Sequence, residues 1–256
     1  MRFLLTNDDG IYAEGLRALQ RELSQVAECL IVAPETEQSA VGHAITLSRP
    51  LMVRKVKREG NFWGYGVKGT PADCVKIAVK ELADKPFDLV VSGINRGANV
   101  GINVIYSGTV SAATEGTILG IPSIALSLDD LGEGADYSFA ARFAKKIALF
   151  TVKSNHTRKI TLNVNVPGIP DEEIQGVAIT EQGTARLMED FEKRVDPRKN
   201  TYYWLAGETL LPNMEKENSD ATVLKRGFIS VTPIHYDLTR YESMAYLEAT
   251  AKKLFP

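Results

Sequence analysis

The first residues able to do chemistry are Asp8 and Asp9, in LLTNDDG, where an apolar run typical of a buried strand stops on two adjacent carboxylates. Held about 4 Å apart, two ionised carboxylates repel by about 4 kcal/mol at an effective dielectric of 20, and a cation is the natural offset. Neighbouring residues of a regular strand face opposite sides, so the pair can share an ion only where strand gives way to loop; Gly10 permits that break. Ser39, in the loop after the second apolar strand, and Asn95, at the end of FDLVVSGIN, add a hydroxyl and an amide oxygen. Together these four make a hard, all-oxygen donor set with room for water, suited to Mg²⁺ or Mn²⁺ rather than zinc or copper.

A fourth loop, YSGTVSAATEG, puts Ser107, Gly108 and Thr109 just before a helix. Backbone N–H groups at a helix N-terminus form a ready anion site. A cation facing such a cradle reads as a site for a phosphate ester, the metal polarising phosphoryl oxygens and activating water. Each fragment also has a plainer reading: an Asp-Asp pair as a turn or N-cap, SGTV as an ordinary cap, Asn95 as a tight-turn residue. Their convergence on successive strand ends is what favours the site.

Other candidates carry less. His43, in SAVGHAIT, reads either as a proton donor to a leaving alkoxide or phosphate contact, or as a hydrogen-bonded loop residue. His156 lies in a polar loop and reads as solvated, while His235 has no evident partner. Arg96 and Asn99 flank Asn95 and read as facing the crevice, with a surface contact as the alternative for Arg96. Cys74 reads as packed at a helix start. Tyr202, Tyr203 and Trp204 suit either a nucleobase platform or a subunit interface, and the interface is favoured.

The elements that must position these residues follow from periodicity. RFLLTN reads as a strand, EGLRALQRELSQV as a helix with Leu16, Leu19 and Leu23 on one face, and ECLIVAP as a second strand. AITLSRPLMVRKVK and NFWGYGV suggest a β insertion over about 46–68. From PADCVKIAVKELA the alternation resumes through FDLVVSGIN, VSAATEGTILG, PSIALSL and YSFAARFAKKIALFTVK. Such order predicts an α/β fold with a mainly parallel sheet and helices on both faces, whose ligands sit outside the carboxyl ends of the strands. The α/β core is expected over 1–165. Residues 166–256 are expected to form a C-terminal extension: strands ITLNVNVPGIP, EIQGVAIT, TYYWLAG and GFISVTP, a charged stretch MEDFEKRVDPRKN, a polar loop NMEKENSD, and a terminal amphipathic helix.

Composition narrows the function classes. Lys plus Arg number 30 against 32 Asp plus Glu in 256 residues, a net charge of −2, which offers no footprint for a nucleic-acid polymer or an anionic membrane. Two cysteines support neither a disulfide framework nor a thiolate zinc site, and no apolar run reaches membrane-spanning length. A cytoplasmic protein is expected.

TNDDGIYAEG, APETEQSAVGHAIT, GTPADCV, SGINRGANVG, YSGTVSAATEG and GIPSIALS, followed by NVNVP, DPRKNTYYW and GFISVTPIHYDLT, carry a specific resemblance. In this order, over nearly the whole chain, they resemble the SurE family, the stationary-phase survival protein nucleotidases. The resemblance implies a Rossmann-like core and a C-terminal arm exchanged between subunits, in homodimers or homotetramers. It also implies a metal-dependent phosphatase acting on nucleoside 5′- and 3′-monophosphates, with exopolyphosphatase activity in some members. The family's metal ligands map onto Asp8, Asp9, Ser39 and Asn95, and its phosphate-contacting segment onto Ser107, Gly108 and Thr109. In the last third, DPRKNTYYW lacks the Gly-containing turn expected before the aromatic pair, and NMEKENSDATVL departs from the family's Thr-Asp pairing.

In mechanism, Asp8, Asp9 and Asn95 are the catalytic candidates, Asp9 positioning or deprotonating an attacking water; an aspartyl-phosphate intermediate stays open. Two rivals use the same crevice without turnover: a phospho-receiver-like module, which needs an Asp where this chain has Asn95, and a nucleotide-binding sensor. A dinucleotide oxidoreductase is set aside, because NDDGIYAEG lacks the G-x-G-x-x-G turn.

Overall fold

The structure, a computed structural model, describes residues 1–154, 160–210 and 216–251. Its centre is a nine-stranded sheet in the order β3-β4-β2-β1-β5-β6-β7-β11-β8. The parallel heart comprises β2 (Glu28–Pro34), β1 (Arg2–Thr6), β5 (Leu89–Arg96), β6 (Ser123–Asp129) and β7 (Thr161–Pro167). The alternation read from sequence is thus an α/β sheet. Because β1 runs on to β2 through α1 (Glu14–Leu23) on one side and pairs with β5 on the other, the strand order reverses at β1/β5. That is the switch point at which open α/β sheets bind ligands.

Both faces of the sheet are covered, which explains the near-continuous apolar strands. Phe3 and Leu5 of β1 pack with Leu16 and Leu19 of α1 and with Ala140 and Ala144 of α4 (Ser138–Lys153). Leu4, on the opposite face, packs with Val75 of α2 (Pro71–Ile77) and Ala112 of α3 (Gly108–Ile118). Helix α2 starts sharply: Pro71 opens it, and Thr70 and Asp73 form a reciprocal capping box.

The β insertion is an edge hairpin, β3 (Val53–Arg58) antiparallel to β4 (Asn61–Val67), with β4 parallel to β2. Of the extended segment expected over 44–57, only the part from Val53 is strand. The expected core boundary at 165/166 falls inside β7, and two strands beyond it continue the sheet: β11 (Phe228–Ile234) antiparallel to β7, and β8 (Gly176–Ile179) parallel to β11. What stands apart is a ribbon of β9 (Arg186–Val195) and β10 (Thr201–Leu210).

MEDFEKRVDPRKN, expected as a charged connection, therefore supplies most of a strand. An exposed two-stranded ribbon can be charged on both faces, so alternation fails as a signal there. A short helix α5 (Asp220–Lys225), capped by the Ser219 hydroxyl, starts at the last residue of the polar loop and has no counterpart among the expected elements. Residues 213–215 of NMEKENSD lie outside the described residues. The terminal helix is α6 (Tyr241–Thr250), and among the described residues no helix is long and apolar enough to cross a membrane.

Candidate active site

The loop after β1 is held by backbone and amide bonds that leave its carboxylates to the crevice. Asn7 Nδ2 donates to the Gly10 carbonyl (3.0 Å), and Gly10 turns the chain at φ +99°. Ile11 N–H donates to the Pro34 carbonyl and Gln38 N–H to the Asp8 carbonyl, both at 2.8 Å, so the Ser39 loop is fastened to the end of β1. Asp8 is only 6% exposed, and Thr109 donates its hydroxyl proton to Asp8 Oδ1.

Helix α3 reaches Asp8 because residue 108 is glycine: a Cβ there would lie 2.7 Å from Asp8 Cβ and 2.9 Å from Asp8 Oδ2. The Ser107 hydroxyl accepts from Val110 N–H (3.1 Å), capping the helix. The plain N-cap reading of Ser107 is therefore correct for its side chain. In the first turn the Thr109 N–H is also directed at the Asp8 carboxylate, so the Gly108 N–H is the donor the helix leaves for an anion.

Electrostatically the two carboxylates are unbalanced. Burial pushes Asp8 up from the usual carboxylate range, against the bond from Thr109. Asp9 is pushed up to about 7, first by burial and then by the charge of Asp8. Glu37 adds further negative potential at both. Asn95 Nδ2 donates to the Gly97 carbonyl (2.7 Å), which leaves Oδ1 as the atom offered to a cation. The Ser39 hydroxyl is exposed and donates to Glu37 Oε1 (2.5 Å).

Asp8, Asp9, Ser39, Asn95 and Ser107 line one cavity of about 960 Å³, joined by Tyr106 and Leu131 and, from the ribbon, by Arg186 and Leu205. Among the described residues no three Asp, Glu, His or Cys side chains gather as a metal-holding group. A cation here would rest on two carboxylates plus the neutral oxygens of Ser39 and Asn95. This donor set fits a hard divalent ion, whose charge would offset the repulsion that raises Asp9.

Arg96 and Asn99 also line the cavity. Asn99 is clamped from three sides: its N–H donates to Asn165 Oδ1 (2.7 Å), its Nδ2 to Ser127 Oγ (2.9 Å), and its carbonyl accepts from Asn163 Nδ2 (2.8 Å). His43 does not line the cavity; its Nε2 lies 2.8 Å from Glu115 Oε2. His235, expected to lack a partner, accepts at Nδ1 from Asp237 N–H (3.1 Å). His156 lies outside the described residues. Cys74 is fully buried, and Tyr202, Tyr203 and Trp204 are exposed on β10.

Sequence reasoning missed Glu37, Arg186, Leu205 and the partners of Glu115. One signal was there to be used for the last: Glu115 is the sole charged residue of GTVSAATEGTI, a helix that is buried along most of its length.

Comparison with known proteins points to one family. The family described as Survival protein SurE matches residues 3–189. The 5′-nucleotidase SurE of Syntrophus aciditrophicus is 64% identical over 253 residues, covering 99% of this chain and 95% of that protein. That of Syntrophobacter fumaroxidans is 52% identical over 242 residues, with 94% and 96% covered. The crystal structure of the SurE protein from Aquifex aeolicus superposes with a TM-score of 0.84 at 39% identity, covering 98% of this chain and all of that one.

Proposed function

The chain belongs to the SurE family, and from that membership and this crevice we propose that it is a 5′-nucleotidase, hydrolysing nucleoside 5′-monophosphates to nucleoside and phosphate. One observation carries the reading: a buried Asp8 beside a half-buried Asp9, left electrostatically unbalanced at the switch point, meets the N-terminus of α3 across a Gly108 contact. Asp8, Asp9, Ser39 and Asn95 would hold one Mg²⁺ or Mn²⁺. When bound, that ion supplies neutralising charge for the phosphoryl oxygens and a water of lowered pKa.

The rest of the work falls to the chain. The Gly108 N–H and the positive end of α3 bind the phosphoryl oxygens and fix their orientation. Thr109 and the end of β1 hold Asp8 still, so that one carboxylate keeps its place when substrate arrives. Asp9, beside the crevice opening, orients the attacking water and takes its proton. Asn95, fixed by its bond to Gly97, keeps an oxygen turned to the crevice.

This grip is on the phosphoryl group and asks little of the leaving group, which supports extending the substrates to nucleoside 3′-monophosphates and the terminal phosphates of polyphosphate. The exposed aromatic residues of β10, with Phe191 of β9 and the exposed Tyr241, Tyr246 and Leu247 of α6, support self-association through the C-terminal arm as a homodimer or homotetramer. Two free cysteines, Cys29 pushed up to about 12 by burial and Cys74 raised well above the usual thiol range by the same cause, suit a cytoplasmic protein.

The test is phosphate release from 5′-AMP, 3′-AMP and polyphosphate by metal-stripped protein, with and without Mg²⁺ or Mn²⁺. Release from 5′-AMP only with metal is expected. No release with either ion from folded protein would leave a nucleotide sensor as the reading. Acid quench during turnover of phosphate-labelled substrate separates the two chemistries: no label is expected on the protein, and a hydroxylamine-sensitive phosphoprotein at Asp9 would substitute a covalent aspartyl-phosphate.

A further inference from the structure

The Ser39 loop has almost no ladder bonds of its own. Residues 36–52 form no helix or strand, yet they carry one of the four oxygens offered to the cation. Side chains and a few backbone bonds hold the loop in place. Gly42 N–H donates to the Tyr106 carbonyl (2.9 Å) beside the anion cradle. The Thr70 hydroxyl donates to the Ala44 carbonyl (2.7 Å), and Thr46 donates through N–H and hydroxyl to Asp73 (2.9 and 2.7 Å), tying the loop's far end to α2.

Between these tethers is a buried charge that the proposed mechanism leaves unused. Glu115, 2% exposed, sits two turns into α3, the helix whose first turn is the cradle. Its two oxygens serve two elements: Oε1 lies 2.6 Å from Lys76 Nζ on α2, and Oε2 lies 2.8 Å from His43 Nε2 in the loop. A buried carboxylate is costly unless its lone pairs are used, and here each oxygen has a cationic or N–H donor.

We propose that Glu115 is a positioning residue: through His43 it latches the Ser39 loop to the cradle helix, so that the hydroxyl and the phosphate-binding N–H keep a fixed relation. Lys76 supplies the countercharge that lets the carboxylate stay buried, while His43 carries the mechanical link. The latch stands on this geometry; only its catalytic consequence rests on the nucleotidase reading.

The experiment compares wild type, Glu115→Gln, His43→Ala and the double variant by peptide hydrogen exchange, Mn²⁺ calorimetry and 5′-AMP kinetics. A carboxamide cannot accept from both donors through its nitrogen, so Glu115→Gln is expected to speed exchange over 39–46 while β1 and β5 keep wild-type rates. Mn²⁺ affinity and kcat/KM are expected to fall by about 10- to 100-fold, as for other groups that orient a metal ligand. His43→Ala should match it and the double variant should lose no more, because the two residues form one link.

In a Ser39→Ala background the kinetic loss from Glu115→Gln should vanish, a result that general destabilisation would not give. Wild-type exchange over 39–46 in a folded Glu115→Gln protein, or strictly additive losses, would overturn the latch. If Glu115→Gln does not fold, the half-exposed His43 site gives the same readout alone. A wild type that neither binds Mn²⁺ nor releases phosphate would sink the nucleotidase reading, and the exchange data would still decide the latch.

Discussion

Two regions of this chain are rich in charge and use it in opposite ways. At the carboxyl ends of β1 and β5 the charges are few and mostly withdrawn from water: Asp8 is buried, Asp9 is pushed up to about 7, and each oxygen of Glu115 is engaged. Along β9 the sequence DFEKR, residues 190–194, puts many charges in solvent, and the pair Arg194–Glu192 (2.9 Å) is half exposed at both ends. Water screens the second set, so its members are nearly interchangeable, whereas each member of the first has a cost that some partner must offset. Density of charge is thus a poor guide to chemistry; charge held against its solvation cost is a better one.

The sharpest contrast between the regions should appear in activity. Asp8→Asn and Asp9→Asn are each expected to lower metal-dependent phosphate release from 5′-AMP by about 100-fold or more, the scale seen when one fixed group at a reacting centre is lost. Lys193→Ala on the ribbon should stay within about twofold. Full activity in both aspartate variants would remove the metal assignment. Gly108→Ala comes next: its Cβ would meet Asp8 at 2.7 Å, so α3 must withdraw, and a loss of about 10-fold or more is expected with little change in the far-ultraviolet circular dichroism. Wild-type kinetics in this variant would mean that the close approach of cradle and carboxylate is dispensable.

The same contrast has a pH signature. Asp9 titrates near 7 in the fold against 3.8 ordinarily, and Asp8 is raised as well. A carboxyl raised by folding favours the protonated native state, so its contribution is full below about pH 4 and is lost as pH climbs through 7. Glu115 and Asp73 run the other way: although burial raises each, bonds from His43 and Lys76, and from Thr46 and Thr70, hold them below the usual range. Their contribution is present above the ordinary carboxylate values and fades on acidification. Between pH 5 and 7 the aspartate pair therefore dominates, and metal-free protein should melt lower at pH 8 than at pH 5. At one fixed Mn²⁺ concentration the ion should restore more at pH 8, where its Kd is lower, the stabilisation being about 2.7 kcal/mol where that concentration is 100 times Kd. Equal Mn²⁺ shifts at both pH values would count against the shared-cation reading.

How much could be read from the chain follows the same division. The β–α alternation, the burial of both sheet faces and the meeting of Asp8, Asp9, Ser39, Asn95 and Ser107 around one cavity depend on chain order and strand ends, which local patterns reveal. Strand β9 did not read as a strand, because its charges alternate with nothing buried beneath them. The link from His43 to Glu115 spans 72 residues and joins a loop to the middle of a helix, so no local spacing announces it. The Asn99 clamp is similar: Asn163 and Asn165 look like ordinary strand residues until the sheet sets β7 beside the Gly-rich loop. Local periodicity shows where a site lies, while the side chains that stiffen it come from wherever the topology brings them.

The smallest expected effect tests the ribbon directly. Arg194 donates through Nε and a terminal nitrogen to both oxygens of Glu192, a bidentate geometry that in a buried setting would matter greatly. Here both side chains are half exposed and lie two residues apart on one face of a solvated strand. A double-mutant cycle on Arg194→Ala and Glu192→Ala should therefore return a coupling below about 1 kcal/mol that shrinks further in 0.5 M salt. A coupling that survives salt would mean the pair is desolvated in solution. The natural source of that desolvation is a second subunit on the ribbon, since Tyr202, Tyr203 and Trp204 on the adjoining strand already present the apolar surface such a contact would cover.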